Sequence, residues 1–91
     1  MSRHVAWDRG GEARIVSLRD DAIALVSSVP SPPGSRLEGT LAGEPPARLR
    51  IKVHACRRRA PVDESFDLEG RTLDMTREVR ERVTKLAGEG R

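Results

Sequence analysis

Arg48-Leu49-Arg50-Ile51-Lys52-Val53-His54-Ala55-Cys56-Arg57-Arg58 is the stretch that decides the fold. Leu49, Ile51, Val53 and Ala55 take one set of alternate positions, and Arg48, Arg50, Lys52, His54, Cys56 and Arg58 take the other. Side chains of a strand point alternately to its two faces, so this period of two predicts an antiparallel strand with one face on a core and a basic face in water. His54 and Cys56 are expected together on that outer face.

Working backward along the chain, Gly43-Glu44-Pro45-Pro46 ends an earlier strand, Arg36 to Leu41, because proline cannot donate a ladder hydrogen bond. Pro30-Ser31-Pro32-Pro33-Gly34-Ser35 predicts a sharp reversal, with Pro33 at the first central turn position and Gly34 at the second. Ala13 to Leu18 and Ala22 to Val26 read as strands joined at Asp20-Asp21, hence a hairpin. The first twelve residues, with Asp8-Arg9-Gly10-Gly11, form a turn-rich, poorly periodic N-terminal segment that is expected to be partly mobile. Trp7 within it is expected to pack across the barrel mouth.

Working forward, Ala60 to Glu64 reads as a loop and Ser65 to Leu73 as a fifth strand. The period then changes. Met75, Val79, Val83 and Leu86 form one apolar stripe of an amphipathic helix, capped by Asp74 or Thr76 and ended by Gly88. Glu78 with Arg82 and Glu81 with Lys85 are spaced to pair along it. Five to six strands followed by one helix predict an all-β fold, a small barrel with a C-terminal amphipathic helix over an open end. Residues 13–91 make a single domain.

At 91 residues the chain buries only about 60 to 65% of its unfolded surface, which leaves little room for a large internal active-site cavity. One Trp, one Phe and no Tyr require a core of Val, Leu, Ile and Ala. A single cysteine excludes an internal disulfide, and neither a hydrophobic leader nor an apolar run of membrane-spanning length is seen, so a cytoplasmic location without membrane insertion is expected. The net charge of +3 permits acidic partners without requiring them, since 14 acidic residues offset 17 basic ones.

This element order resembles the PilZ domain, a small bacterial β-barrel with a C-terminal helix. Three phrases carry the resemblance: Ala13-Arg14-Ile15-Val16-Ser17-Leu18 leading to Ala22-Ile23-Ala24-Leu25; Pro30-Ser31-Pro32-Pro33-Gly34-Ser35-Arg36-Leu37; and Phe66-Asp67-Leu68-Glu69-Gly70-Arg71-Thr72-Leu73-Asp74 running into the helix. It implies binding of the second messenger cyclic di-GMP through an Arg-x-x-x-Arg motif and an [Asp/Asn]-x-Ser-x-x-Gly motif at the first hairpin. No two arginines here are four positions apart. At the hairpin, Ser17-Leu18-Arg19-Asp20-Asp21-Ala22 replaces the acid by Ser, the serine by Arg and the glycine by Ala. The acidic pair would also repel a dinucleotide carrying two phosphates, at about 1 kcal/mol per close charge. The resemblance therefore implies a degenerate, non-enzymatic signalling or interaction domain whose partner is another bacterial protein. The alternative it leaves is a non-standard cyclic di-GMP receptor using Arg9, Arg14, Arg19 or Arg57.

Arg48, Arg50, Lys52, Arg57, Arg58 and Arg59 are the densest cations and form the candidate docking patch; the competing reading is a solvated face that blunts a strand edge. A basic barrel could bind nucleic acid, but two aromatic residues in the whole chain are too few for base stacking. His54 and Cys56 at one face could supply two soft metal ligands, yet His4 is the only other histidine and no second cysteine exists, so no metal or cofactor is expected. No nucleophile elbow, phosphate-cradling glycine loop or His-Glu-x-x-His helix supports an enzyme.

Overall fold

The structure, a computed structural model, describes residues 3–59 and 64–89, so most of the loop expected at 60–64 lies outside the described residues. Six strands and one helix follow in order: β1 Val5–Trp7, β2 Glu12–Arg19, β3 Ala22–Ser27, β4 Arg36–Leu41, β5 Ala47–Arg58, β6 Phe66–Thr72 and α1 Arg77–Glu89. The strands pair antiparallel in a closed ring, β1-β2-β3-β6-β5-β4 and back to β1. β5 is the longest at twelve residues, and this length lets it pair with β4 along its first half and with β6 along its second. The ring closes through β1, which lies between β2 and β4 and comes from the segment read as weakly periodic.

Every strand sends apolar side chains inward. Val5, Ile15, Ile23, Leu25, Leu49, Ile51, Val53 and Leu68 are essentially inaccessible, and α1 adds Val83 and Leu86 to the same cluster. Antiparallel register places the β2–β3 turn, residues 42–46 and the end of β6 at one rim of the barrel. The helix lies over that rim. Arg80 donates to the Asp20 carbonyl and, at 2.9 Å, to Asp21 Oδ1 on the hairpin, while Arg82 donates to the Pro45 carbonyl. Of the two proposed caps Thr76 does the work, its Oγ1 accepting from Val79 N–H at 3.2 Å, and the helix continues through Gly88 to Glu89 rather than ending at that glycine.

The turns follow their sequence chemistry. Asp20 takes a left-handed φ of 52° in the two-residue β2–β3 link. Gly34 takes φ 91° after Pro33, and the Ser35 N–H donates to the Pro32 carbonyl at 3.1 Å, closing the reversal.

Two polar seats and one close approach hold the closing strand. Trp7 is 4% exposed, and its indole N–H donates to Ser27 Oγ at 3.0 Å, which in turn donates to the Val29 carbonyl at 2.8 Å. Just before β1, buried His4 accepts the Ile15 N–H at Nδ1, 2.9 Å away, so the imidazole occupies a place in the ladder. Gly39 lies beneath them on β4. A Cβ there would stand 2.7 Å from the Ala6 carbonyl oxygen and 2.9 Å from Trp7 Cε3, closer than real contacts allow.

Gly39→Ala is expected to destabilise the barrel by about 1–3 kcal/mol through overpacking against β1. Gly88→Ala has open space around the new methyl and should instead stabilise by up to about 1 kcal/mol through helix propensity. Urea denaturation of the two variants checks the pair; a neutral Gly39→Ala would mean that β1 is not seated on β4 as described.

Candidate functional site

The outer surface of β2, β3, β6 and β5 is shaped by two β-bulges. Ile15 pairs with Leu25 and Ser17 with Ala24, so Val16 is an extra residue on β2; Val53 pairs with Gly70 and Ala55 with Glu69, so His54 is extra on β5. Each bulge inverts the alternation that follows it. On β2 both Val16 and Ser17 are exposed, and Leu18 turns in against the core. On β5 Ala55 turns outward beside Arg57, while Cys56 turns inward, opposite Leu68 and against the core cluster. The expectation that His54 and Cys56 share an outer face is therefore corrected. His54 is exposed, Cys56 is half-buried, and the two are not side-by-side ligands.

Glycine makes the second bulge possible. A Cβ at position 70 would lie 2.4 Å from the Lys52 carbonyl oxygen, so only a residue without a side chain lets β5 press this closely onto β6.

The result is a recess lined by Val16, Ala24 and Ala55 with Arg57, Asp67 and Glu69 around it. Val16, at 46%, is the exposed large hydrophobic residue among the described residues. A second shallow depression adjoins it along the same face, bordered by Ser17, Arg19, Ala22, His54 and Glu69. Small side chains on four adjacent strands leave this surface flat and low.

The candidate cations are dispersed by the register. Arg14 and Arg57 occupy one row across the face, with Val26 and Asp67 between them. Arg19 ends β2, and Arg9 sits in the turn between β1 and β2, off the end of this surface. The docking patch is divided as well. Arg48 pairs with Asp8, Arg50 with Glu38 at 2.8 Å and with Asp74 at 3.8 Å, and Arg59 with Asp67 at 3.4 Å. Lys52 stands between Arg36 and Arg71, and Arg58 is exposed at the end of β5 opposite Phe66. Asp21, at the β2–β3 turn, is engaged by Arg80 and half-buried.

Among the described residues no group of three His, Cys, Asp or Glu side chains is placed to hold a metal ion. None of the described helices is long and apolar enough to cross a membrane. Comparisons of the chain with protein-family models, curated proteins and solved structures find no match.

Among the described residues, Arg48 and Asp8 are the pair whose contact shifts both ionisation equilibria. The guanidinium fork donates Nη1 to Oδ1 at 2.8 Å and Nη2 to Oδ2, and Nη1 also reaches Thr40 Oγ1 at 3.1 Å. That hydrogen-bonded pairing outweighs desolvation and holds the Asp8 carboxyl below its ordinary 3.8, while it raises Arg48. A depressed folded-state pKa means the pair's contribution is complete above the ordinary value and is lost as pH falls through the folded one. The difference in urea midpoint between the parent and Asp8→Asn should stay constant from neutral pH to about pH 5 and shrink below about pH 4. A difference that persists unchanged under acid would show that Asp8 acts through packing rather than charge.

Proposed function

We propose that this chain is a non-enzymatic interaction domain of the PilZ-like kind, acting in bacterial signalling through contact with another protein rather than through the family's nucleotide. The observation that carries this reading is the outer recess around Val16, where two bulges set an exposed valine and two alanines inside a rim of Arg57, Asp67 and Glu69. An apolar centre within a charged rim is the composition of a protein-contact surface. Bulges are features that folds keep where a strand must re-aim its side chains, and both border this surface.

The hairpin argues against the nucleotide. Ser17-Leu18-Arg19-Asp20-Asp21-Ala22 lacks the family's acid, serine and glycine in their places, and Asp21 is committed to Arg80 of the helix. A non-standard cyclic di-GMP receptor is the second reading, favoured by one observation: Arg19 and Arg57 border neighbouring depressions lined by small side chains. Arginine forks above a flat floor are suited to phosphates and base edges.

Titration calorimetry with cyclic di-GMP at physiological salt separates the two. The interaction reading predicts no heat at several hundred micromolar, together with capture of a protein partner that Val16→Asp abolishes while leaving thermal stability within about 1 kcal/mol, as expected of a surface substitution. Saturable nucleotide binding weakened by Arg19→Glu or Arg57→Glu would replace it with the receptor reading.

A further inference from the structure

One register row stands apart from the rest of the outer surface. Across five consecutive strands the paired residues are Arg19 on β2, Ala22 on β3, Arg71 on β6, Lys52 on β5 and Arg36 on β4. All five are exposed, and four of the five are cations. Arg36, Lys52 and Arg71 are direct cross-strand neighbours. Adjacent strands lie about 4.8 Å apart, within the Debye length of about 8 Å at physiological salt, so by strand spacing Lys52 is only partly screened from the arginine on either side. Like charges placed directly opposite destabilise a sheet.

Neighbouring rows are compensated. Arg50 faces Glu38 and pairs with it at 2.8 Å, and Asp67, opposite Arg57 in the register, pairs with Arg59 at 3.4 Å. In the cationic row, by contrast, no carboxylate among the described residues lies within ion-pair distance of Arg19, Arg36, Lys52 or Arg71. The titratable groups around it are otherwise engaged or offset. Asp21 is held by Arg80, Asp74 faces Arg50, and Glu69 and His54 lie one step along β6 and β5. Arg36, Lys52 and Arg71, with His54, also line an open groove that runs to Asp74 and Met75 before the helix.

We propose that the Arg19–Arg71–Lys52–Arg36 row is a docking strip for an extended acidic segment of a protein partner, whose carboxylates lie along the row and relieve its repulsion. The inference rests on the interaction-domain reading and names the partner's chemistry. A line of exposed cations crossing five strands, roughly 19 Å at the usual strand spacing, matches an extended chain better than a compact phosphate. Exposed aromatic side chains for stacking, which a nucleic-acid strand would use, are absent from this groove.

Amide NMR titration of the full chain with an octaglutamate peptide at physiological salt tests it, with tripolyphosphate and a short oligothymidylate as separate arms. Octaglutamate should give saturable shifts centred on residues 19, 36, 52 and 71, and Lys52→Glu should weaken the peptide about tenfold. Lys52→Glu should also raise the melting temperature by roughly 3–8 °C, because it puts an acid between two arginines. This stability gain needs no ligand and tests the repulsion within the row by itself. Peptide shifts elsewhere, no saturable shifts, or an unchanged or lower melting temperature would overturn the strip. Tripolyphosphate or oligonucleotide binding at the row more tightly than the peptide would overturn the acidic-segment assignment in favour of a phosphate ligand. A partner still lost on Val16→Asp but indifferent to Lys52→Glu would remove the strip alone and leave the interaction-domain reading standing.

Discussion

A hydrogen atom at position 70 is the constraint on which the outer surface depends. The Lys52 carbonyl occupies the space that a Cβ on that residue would need, 2.4 Å away. With glycine there, β5 carries His54 as an extra residue and its alternation inverts from Ala55 onward. Together with the bulge at Val16, this moves Ala55 out, Cys56 in, and leaves a small-residue floor between β2 and β5. Without the two bulges a strict alternation would bury Ala55 and align His54 and Cys56 on one face.

Closure of the barrel depends on contacts of a different kind. β1 has only three residues and can contribute little ladder energy by length. It is held instead by side-chain seats: Trp7 on Ser27 and over Gly39, with the His4 ring just before it accepting the Ile15 N–H. Each satisfies a polar group that burial would otherwise penalise, so the short strand removes the open edges of β2 and β4. The helix completes the other rim by burying Val83 and Leu86, and Arg80 and Arg82 tie it to the loops there.

Much of this was legible from local sequence, and the remainder was not for identifiable reasons. The Asp20 turn, the Pro33-Gly34 reversal and the helical stripe through Val79, Val83 and Leu86 are local, and each appears where its chemistry places it. The bulges are properties of register between strands, so a count along β5 alone carries past His54 without a break. Gly70 was the available signal, since an isolated glycine in a strand marks a bulge or a close backbone approach. β1 is too short to show a period. The ion pairs escape for a third reason: Asp8 and Arg48 are 40 residues apart, and only the closed ring brings β1's turn to β5. The cationic row is likewise invisible in sequence, because its members come from four strands.

β5 reverses its faces at His54, and thiol accessibility measures this directly. Reaction of the native protein with a water-soluble thiol reagent reports whether Cys56 faces the core, since reactivity follows exposure. Cys56 should react about tenfold or more slowly than the thiol of an Ala55→Cys, Cys56→Ala variant, and the two should become equal in denaturant. A fast-reacting native Cys56 beside a protected thiol at position 55 would contradict it, restoring strict alternation and dissolving the recess on which the functional reading is built.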